Sequence, residues 1–277
     1  MGDNLSDFTV INKHGDGAYS SVFKVKQKGD EEIHALKQVK MLSLTEKEKE
    51  NALNEVRILA SIDHPSVISF KAAFIDAPTS SLCLVMEYAD NGDVFQKITN
   101  YQKKETYIKE KKIWYVFIQI VRGLRAFHIR KILHRDMKSA NIFLFQDMQA
   151  KLGDLNVSKI VKKGLSYTQT GTPYYASPEV WKDMPYDGKS DIWSLGCVLY
   201  EMCALVPPFR AYDMQGLYKK VVKGKYPRIP EHFSQEMATV IKFMLQSAPS
   251  YRPNCDQILS LPIIESLSKK FYPDEKI

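Results

Sequence analysis

The amino-terminal part of the chain alternates between apolar and polar positions in short runs. From Phe8 to Val39 these runs are rich in β-branched and aromatic residues, and Gly15, Gly17 and Gly29 interrupt them. Alternation with a period of two is typical of strands that bury one face, and glycines mark the turns between such strands. The pattern therefore predicts three antiparallel strands.

A helix and a further strand are expected next. Thr45 and Glu48 form a capping box, and apolar residues recur behind it at helical spacing, which predicts a helix to about Ser61. The apolar run from Leu82 to Tyr88 predicts a strand, and the turn-forming stretch from Ala89 to Asp93 ends it. We expect the boundary between two lobes at this break.

Helical periodicity dominates after the break. Apolar residues fall at steps of three and four from Ile113 to Phe127, which places them on one helix face. Another helix is predicted to begin near Asp191 and to end before Pro207. The long apolar run from Ile192 to Leu205 is too short for a membrane span and is predicted to be a buried helix. Three residues interrupt it: Ser194, Gly196 and Glu201.

The order of these elements predicts an α+β fold in two lobes. Residues 1–88 are expected to form a small antiparallel sheet with one helix, residues 89–268 a larger and mainly helical lobe, and residues 269–277 a short charged tail. A chain of 277 residues exceeds the usual ceiling for one hydrophobic core, which also favours two lobes.

Composition and charge narrow the class of protein. The chain is 44% hydrophobic and 26% charged, which is typical of a globular protein, and it carries no secretory signal. Its four cysteines lack metal-ligand pairing and suit a reducing compartment, so an intracellular, cytoplasmic location is predicted. The net charge is +7, but the lysines are scattered and not interleaved with aromatic residues, so no nucleic-acid partner is expected.

Three short motifs carry the candidate chemistry. They are His134-Arg135-Asp136-Met137-Lys138-Ser139-Ala140-Asn141, Gly153-Asp154-Leu155-Asn156 and Ser177-Pro178-Glu179. In this order and spacing they resemble the catalytic loop, the metal-binding motif and the end of the activation segment of protein kinases. The resemblance implies the bilobal protein-kinase fold.

The resemblance also implies an activity and its cofactors. The expected reaction is transfer of the γ-phosphoryl group of ATP, in the presence of Mg²⁺, to a hydroxyl group of a protein substrate. Asp136 is expected to accept the proton of that hydroxyl, and Lys138 to neutralise the transferred phosphate, which favours serine or threonine over tyrosine as acceptor. Asn141 and Asp154 supply the hard oxygen ligands that Mg²⁺ prefers.

Residues of the first lobe are expected to bind the nucleotide. The glycine-rich segment would fold over the phosphates, although a plain hairpin turn would explain its glycines equally well. It comprises His14, Gly15, Asp16, Gly17, Ala18, Tyr19, Ser20, Ser21 and Val22. Lys37 is expected to contact the α- and β-phosphates and to be held by Glu55, the alternative being an ordinary surface ion pair.

The resemblance assigns the adenosine contacts as well. Met86 is expected to be the gatekeeper, and the backbones of Glu87 and Ala89 to hydrogen-bond adenine. Asp93 would reach the ribose. Three apolar side chains would enclose the ring, or simply pack in the core, or do both: Val22, Ala35 and Phe143. Asp191 is expected to anchor the catalytic loop, and Arg252 to pair with Glu179.

Within the protein kinases the chain most resembles the NIMA-related (NEK) family. The resemblance rests on the segment from Asn54 to Pro65, on Phe143 and on the segment from Gly171 to Glu179. It implies roles in the cell cycle or the cilium and a cytoskeletal association. Ser20 and Asn156 replace glycines of the usual kinase motifs, so the alternative is a pseudokinase or scaffold module in a cytoskeletal or ciliary complex.

Regulation is expected on the activation segment. Thr168 aligns with the activating phosphorylation site of the family, and Thr170 is the second candidate, the alternative being an ordinary hydroxyl-rich loop. A phosphate there would pair with Arg135. Val157 directly follows the metal-binding motif, and a β-branched residue at that position favours threonine acceptors.

Overall fold

The structure is a computed structural model that describes residues 4–16, 20–29, 31–42, 45–153 and 173–273. In this part of the chain, residues up to Asp90 form one compact unit and residues from Asn91 onward form a second. The division falls two residues after the boundary drawn from the sequence.

A five-stranded antiparallel sheet makes up most of the amino-terminal unit, with strand order β1-β2-β3-β5-β4. The strands are β1 (Phe8–Asp16), β2 (Ser20–Gln27), β3 (Ile33–Lys40), β4 (Phe70–Asp76) and β5 (Ser81–Glu87). The one α-helix of this unit among the described residues is α1 (Glu46–Ala60), and a 3-10 turn at Leu5–Asp7 precedes β1. The three predicted amino-terminal strands and the strand before the break are confirmed. β4 was not predicted, because its exposed Ile75 blurs the alternation.

The capping box begins α1 where the sequence places it. The Thr45 backbone N–H donates to Glu48 Oε2 at 2.9 Å, and the Glu48 N–H donates to Thr45 Oγ1 at 3.4 Å. These reciprocal bonds satisfy donors that the first helical turn would otherwise leave unpaired. The sheet buries its own small core, in which Phe8, Val25 and Leu36 pack with Val85.

Helices dominate the second unit, as predicted, so the α+β class is confirmed. They are α2 (Val94–Lys103), α3 (Glu110–Ile129), α4 (Pro178–Trp181), α5 (Gly188–Ala204), α6 (Met214–Lys223), α7 (Gln235–Met244), α8 (Cys255–Leu259) and α9 (Pro262–Phe271). Two short strands, β6 (Ile142–Leu144) and β7 (Ala150–Leu152), pair as an antiparallel ribbon. The predicted apolar face of α3 is buried along its length, from Ile113 to Phe127.

α5 is the helix predicted from the long apolar run, and it is buried from Ser190 to Cys203. It begins three residues before Asp191, because Asp187 caps it by accepting the Lys189 backbone N–H at 2.9 Å. It ends where Leu205 adopts a left-handed conformation (φ 60°). Across the described residues, no helix combines the length and the hydropathy needed to cross a membrane.

The predicted tail requires a correction. Residues 269–271 belong to α9, and the chain beyond them continues to pack. The Tyr272 ring stacks on Tyr115 of α3 with centroids 5.4 Å apart, and the Arg122 guanidinium lies 4.3 Å from its centroid. These contacts extend order past the point where the charge pattern predicted a tail. Residues 274–277 lie outside the described part of the chain.

A buried ion pair joins Glu179 of α4 to Arg252, which lies just before α8, as predicted. Two nitrogens of Arg252 lie 2.6 and 2.8 Å from the two carboxylate oxygens of Glu179, and Ser190 donates to the same carboxylate at 2.7 Å. The other N–H groups of the guanidinium donate to backbone oxygens of Lys189, Gln246 and Ser247. Burial alone would raise the pKa of Glu179, but the hydrogen bonds from Arg252 and Ser190 lower it to about 2.

We predict that Arg252→Met lowers the free energy of unfolding by about 3 to 5 kcal/mol, because it leaves Glu179 buried without its partner. In the wild type, the stabilisation from Glu179 is complete above its ordinary pKa of 4.5 and is lost as the pH falls towards about 2. Guanidinium unfolding curves between pH 3 and pH 7 would measure both effects.

Lys269→Met is the matched control, since Lys269 pairs with Glu265 on an exposed face of α9. Its unfolding curve should stay close to that of the wild type, because exposed pairs contribute little. An Arg252→Met protein as stable as this control would contradict the prediction.

Candidate active site

The hairpin between β1 and β2 holds the described part of the glycine-rich segment. Ser21 donates to Asp16 at 2.7 Å, and the Lys13 ammonium lies 2.7 Å from the other oxygen of the same carboxylate. Hydrogen bonds from Lys13 and Ser21 lower the pKa of Asp16, so it stays ionised and bridges the two strands. Gly17, Ala18 and Tyr19 lie outside the described residues.

The backbone of this hairpin is irregular and open at Gly15. The pairing register of β1 and β2 shifts between Lys13 and Gly15, as it does at a β-bulge. Among the described residues, a Cβ added to Gly15 would meet no atom within 4 Å. The expected role of this segment over the phosphates stays a prediction.

Four further candidates of this unit lie together on the central strands. Val22 is paired with Lys37 across β2 and β3, and Ala35 is paired with Met86 across β3 and β5. Ala35 and Lys37 share a face of β3, as the period of two requires. Lys37 is 6% exposed, and a buried ammonium needs negative partners. The side chain of Glu55 lies outside the described residues, so the Lys37–Glu55 pair stays a prediction.

The chain that leaves β5 is fixed by its neighbours in the same unit. The Glu87 N–H donates to the Ser69 carbonyl at 3.0 Å, and the Ser69 N–H donates to Glu87 Oε1 at 2.6 Å. The next residue, Tyr88, places its hydroxyl 3.0 Å from His14 Nε2. The Glu87 side chain and its N–H therefore both bond to Ser69. The adenine contacts expected of the Glu87 and Ala89 backbones stay predictions.

The catalytic loop brings three of the predicted residues of the second unit together. The Lys138 ammonium lies 2.9 Å from Asp136 Oδ2. Asn141 Nδ2 donates to the backbone carbonyl of Asp136 at 2.8 Å and to its Oδ2 at 3.0 Å. The Asp136 side chain is 20% exposed and that of Lys138 is 38% exposed, so both can reach a substrate. The loop thus presents a carboxylate and an ammonium side by side.

Asp191 holds the start of this loop, as predicted. It is fully buried in α5, and its two carboxylate oxygens accept the backbone N–H groups of His134 and Arg135 at 3.0 Å each. His128 Nε2 lies 2.9 Å from the same carboxylate, and Tyr186 also donates to it. Burial alone would raise the pKa of Asp191, but the hydrogen bond with His128 and the neighbouring groups lower it. The sequence analysis missed His128 and Tyr186, whose role depends on tertiary contacts.

Asp93 and Phe143 form a second group in this unit. Asp93 is the N-cap of α2, with Oδ1 accepting the Gln96 N–H at 2.8 Å, and its backbone pairs with that of Phe143. Burial raises the pKa of Asp93. Its capping role was not predicted, although an aspartate before a helix is a common signal. The proposed ribose contact of Asp93 stays a prediction.

Of the two expected metal ligands, only Asn141 lies in the described part of the chain. Both side-chain hydrogen bonds of Asn141 to Asp136 use its amide nitrogen, so the amide oxygen is the end that suits Mg²⁺. Asp154, Thr168 and Thr170 lie outside the described residues. Within the described ranges, no three side chains of histidine, cysteine, aspartate or glutamate cluster as a metal site would require.

A family model described as the protein kinase domain matches residues 8–264. The chain therefore belongs to the protein kinase domain family, whose members in general use ATP and Mg²⁺.

Within this family the chain is similar to Nek kinases. It is 38% identical over 274 residues to the human serine/threonine-protein kinase Nek2, in a match that covers 96% of this chain and 62% of Nek2. It is 39% identical to mouse Nek5, covering 98% of this chain and 42% of Nek5, and 36% identical to the probable kinase nek2 of Dictyostelium discoideum, covering 94% and 63%. The chain thus spans about three fifths of the length of the Nek2 relatives.

We predict that Asp191→Ala detaches the start of the catalytic loop, because the backbone N–H groups of His134 and Arg135 lose their acceptor. The free energy of unfolding should fall by about 3 kcal/mol, since several buried donors lose their partner together. Hydrogen exchange of the amides of residues 134 and 135 should accelerate beyond what this loss of global stability explains.

Asp187→Ala at the first turn of α5 is the matched control. It removes a helix cap, which costs about 1 kcal/mol, without touching the loop. If the two variants raised amide exchange at residues 134 and 135 equally, the anchoring role of Asp191 would be disproved.

Proposed function

We propose that this chain is an ATP-dependent serine/threonine protein kinase domain, which transfers the γ-phosphoryl group of ATP to hydroxyl groups of protein substrates. The observation that carries this proposal is the arrangement of Asp136, Lys138 and Asn141 in one loop of a chain that belongs to the protein kinase domain family. The relatives named as serine/threonine-protein kinases support the acceptor class.

Asp136 acts as the base and orients the substrate. Its carboxylate accepts a hydrogen bond from the attacking hydroxyl, takes its proton and aims its oxygen at the phosphorus. Asn141 donates one hydrogen bond to this carboxylate and one to the backbone carbonyl of the same residue, so Asp136 is fixed before the substrate arrives. Lys138 places a positive charge 2.9 Å from the same carboxylate, where the transferred phosphoryl group carries negative charge.

Asn141 and Asp154 would hold Mg²⁺, which would neutralise charge on the phosphates of ATP. Lys37, positioned by Glu55, contacts the phosphates, and residues 14–22 cover them. The backbones of Glu87 and Ala89 hydrogen-bond adenine beside Met86, and Val22, Ala35 and Phe143 line the ring. Asp93 contacts the ribose. These assignments rest on the motif positions and on the local contacts described above.

The pseudokinase alternative is not favoured. Ser20 and Asn156 depart from the usual glycines, but the chain retains every charged and amide group that phosphoryl transfer requires, including Lys37 and Asp136. An association with cytoskeletal or ciliary structures in an intracellular setting is a separate hypothesis from the NEK resemblance. Co-sedimentation of the Asp136→Asn protein with microtubules would support it, and a soluble protein that never sediments would remove it.

The central test is phosphate transfer from labelled MgATP to casein. We predict that Asp136→Asn lowers kcat by at least about a hundredfold, because the amide cannot accept the proton. Asp63→Asn, in an exposed loop after α1, is the control and should retain wild-type activity. Wild-type transfer no faster than that of Asp136→Asn would defeat the proposal.

The acceptor preference can be tested with two peptides that differ only in having threonine or serine at the acceptor position. The protein should phosphorylate the threonine peptide faster. Faster phosphorylation of the serine peptide would refute the role given to Val157.

Regulation by phosphorylation of the activation segment gives a further prediction. After incubation with MgATP, mass mapping should find phosphate on Thr168, with Thr170 as the second site, because a phosphate there can pair with Arg135. Thr168→Ala should lower the rate of transfer. Thr239→Ala should not change it, because the half-buried Thr239 of α7 donates to the Gln235 carbonyl of its own helix. Phosphate found only outside the segment would show that the assignment is wrong.

A further inference from the structure

One face of α5 carries three polar residues in a helix that is otherwise buried among apolar neighbours. Ser190, Ser194 and Glu201 are spaced by four and seven residues, which brings them onto one side of an α-helix. We call them the polar stripe. The sequence signal was present, since Ser194 and Glu201 interrupt the long apolar run, but the sequence alone does not say what they meet.

Each member of the polar stripe bonds to the segment formed by residues 173–179, the described end of the activation segment. Ser190 donates to the Glu179 carboxylate at 2.7 Å. Ser194 donates to the Tyr175 carbonyl at 2.8 Å, and the Tyr175 hydroxyl donates to Glu201 Oε2 at 2.6 Å. Tyr175 is therefore held by its backbone and by its side chain, both from the same helix face.

Burying the carboxyl group of Glu201 at this position costs free energy. It is 3% exposed, and burial raises its pKa although hydrogen bonds from Tyr175 and Ser139 act against that rise. A buried carboxyl group contributes little net stability compared with an apolar side chain that fills the same space. Unlike an apolar side chain, the carboxyl group of Glu201 accepts a hydrogen bond at one defined position, so it fixes the orientation of its donor.

The contact continues from Tyr175 into the catalytic loop. Ser139 stands between Lys138 and Asn141, is fully buried, and has its hydroxyl oxygen 3.0 Å from the Tyr175 hydroxyl oxygen. The Asn141 N–H also donates to the Lys138 carbonyl at 3.0 Å, so Ser139 lies within a tight turn that carries both functional residues. A displacement of Ser139 would move Lys138 and Asn141 with it.

We propose that Tyr175 is a positioning residue that, held by Glu201, fixes the catalytic loop through Ser139 and couples the position of residues 173–179 to phosphoryl transfer. The proposal rests on the kinase function proposed above and deepens it. The loop is then held at two points of α5. Asp191 holds its start. Glu201, ten residues or about 15 Å further along the helix, holds its functional turn through Tyr175 and through a hydrogen bond with Ser139 itself.

Steady-state kinetics with a peptide substrate test the coupling. Tyr175→Phe keeps the ring and removes the hydroxyl, so kcat should fall about tenfold while the KM for ATP stays within about twofold, a split that follows if only positioning is lost. Ser139→Ala should lower kcat as well. The double variant should be no slower than the slower of the two single variants, because both substitutions break the same network of Tyr175, Ser139 and Glu201.

Substitutions of Glu201 distinguish the effect of its hydrogen bond with Tyr175 from the effect of its packing. Glu201→Gln keeps an oxygen that accepts from Tyr175 and should retain most of the activity, whereas Glu201→Leu fills the space without an acceptor and should resemble Tyr175→Phe. Tyr251→Phe is the control, since Tyr251 is 77% exposed, and it should match the wild type.

Amide exchange of residues 138–141 supplies a readout that does not depend on turnover. Faster exchange in Tyr175→Phe than in Tyr251→Phe is expected. A lower unfolding temperature with wild-type kcat at 20 °C, or unchanged exchange at residues 138–141, would overturn the proposal. If the wild type transfers no phosphate, the kinase function fails, and exchange alone then decides whether Tyr175 fixes the loop.

Discussion

The second unit depends above all on one buried carboxylate. Asp191 lies inside α5 and accepts the backbone N–H groups of His134 and Arg135, while His128 and Tyr186 satisfy the rest of its hydrogen-bonding capacity. Arg135 has a positive φ of 62°, a conformation that costs a non-glycine residue energy and persists only where the surroundings impose it. Asp191 imposes it at the entrance to the catalytic loop, so the geometry of Asp136, Lys138 and Asn141 follows from a contact that none of them makes.

This arrangement explains why the most deeply buried helix of the unit carries polar residues. An apolar α5 would pack equally well, but it would offer no acceptors to a loop whose backbone groups are buried and must be paired. The polar stripe and Asp191 give those groups and the segment of residues 173–179 fixed partners. A rigid helix thereby sets the position of two irregular segments, and the reacting side chains stand on a loop that has little freedom of its own.

Local patterns predicted the elements whose signals lie within a few residues. The capping box of Thr45 and Glu48, the buried face of α3 and four of the five strands of the amino-terminal sheet follow from periodicity and capping alone. The candidate catalytic residues came from the resemblance, and the loop does bring Asp136, Lys138 and Asn141 together. β4 was missed because its exposed Ile75 blurs the alternation. The ordered end of α9 and the contact of Tyr175 with Glu201 were not predictable, because each depends on partners distant in sequence. No periodic pattern encodes such partners.

The hydrogen bonds of Arg252 affect how the second unit unfolds. Its guanidinium gives all five of its donors to Glu179, Lys189, Gln246 and Ser247, and its Cζ atom lies 5.0 Å from the centre of the Trp193 ring. Segments that are more than seventy residues apart in the chain therefore share one side chain. None of these segments can open without breaking a hydrogen bond of Arg252. We therefore expect them to unfold as one cooperative unit, in which the slowest amides exchange only when the whole unit unfolds.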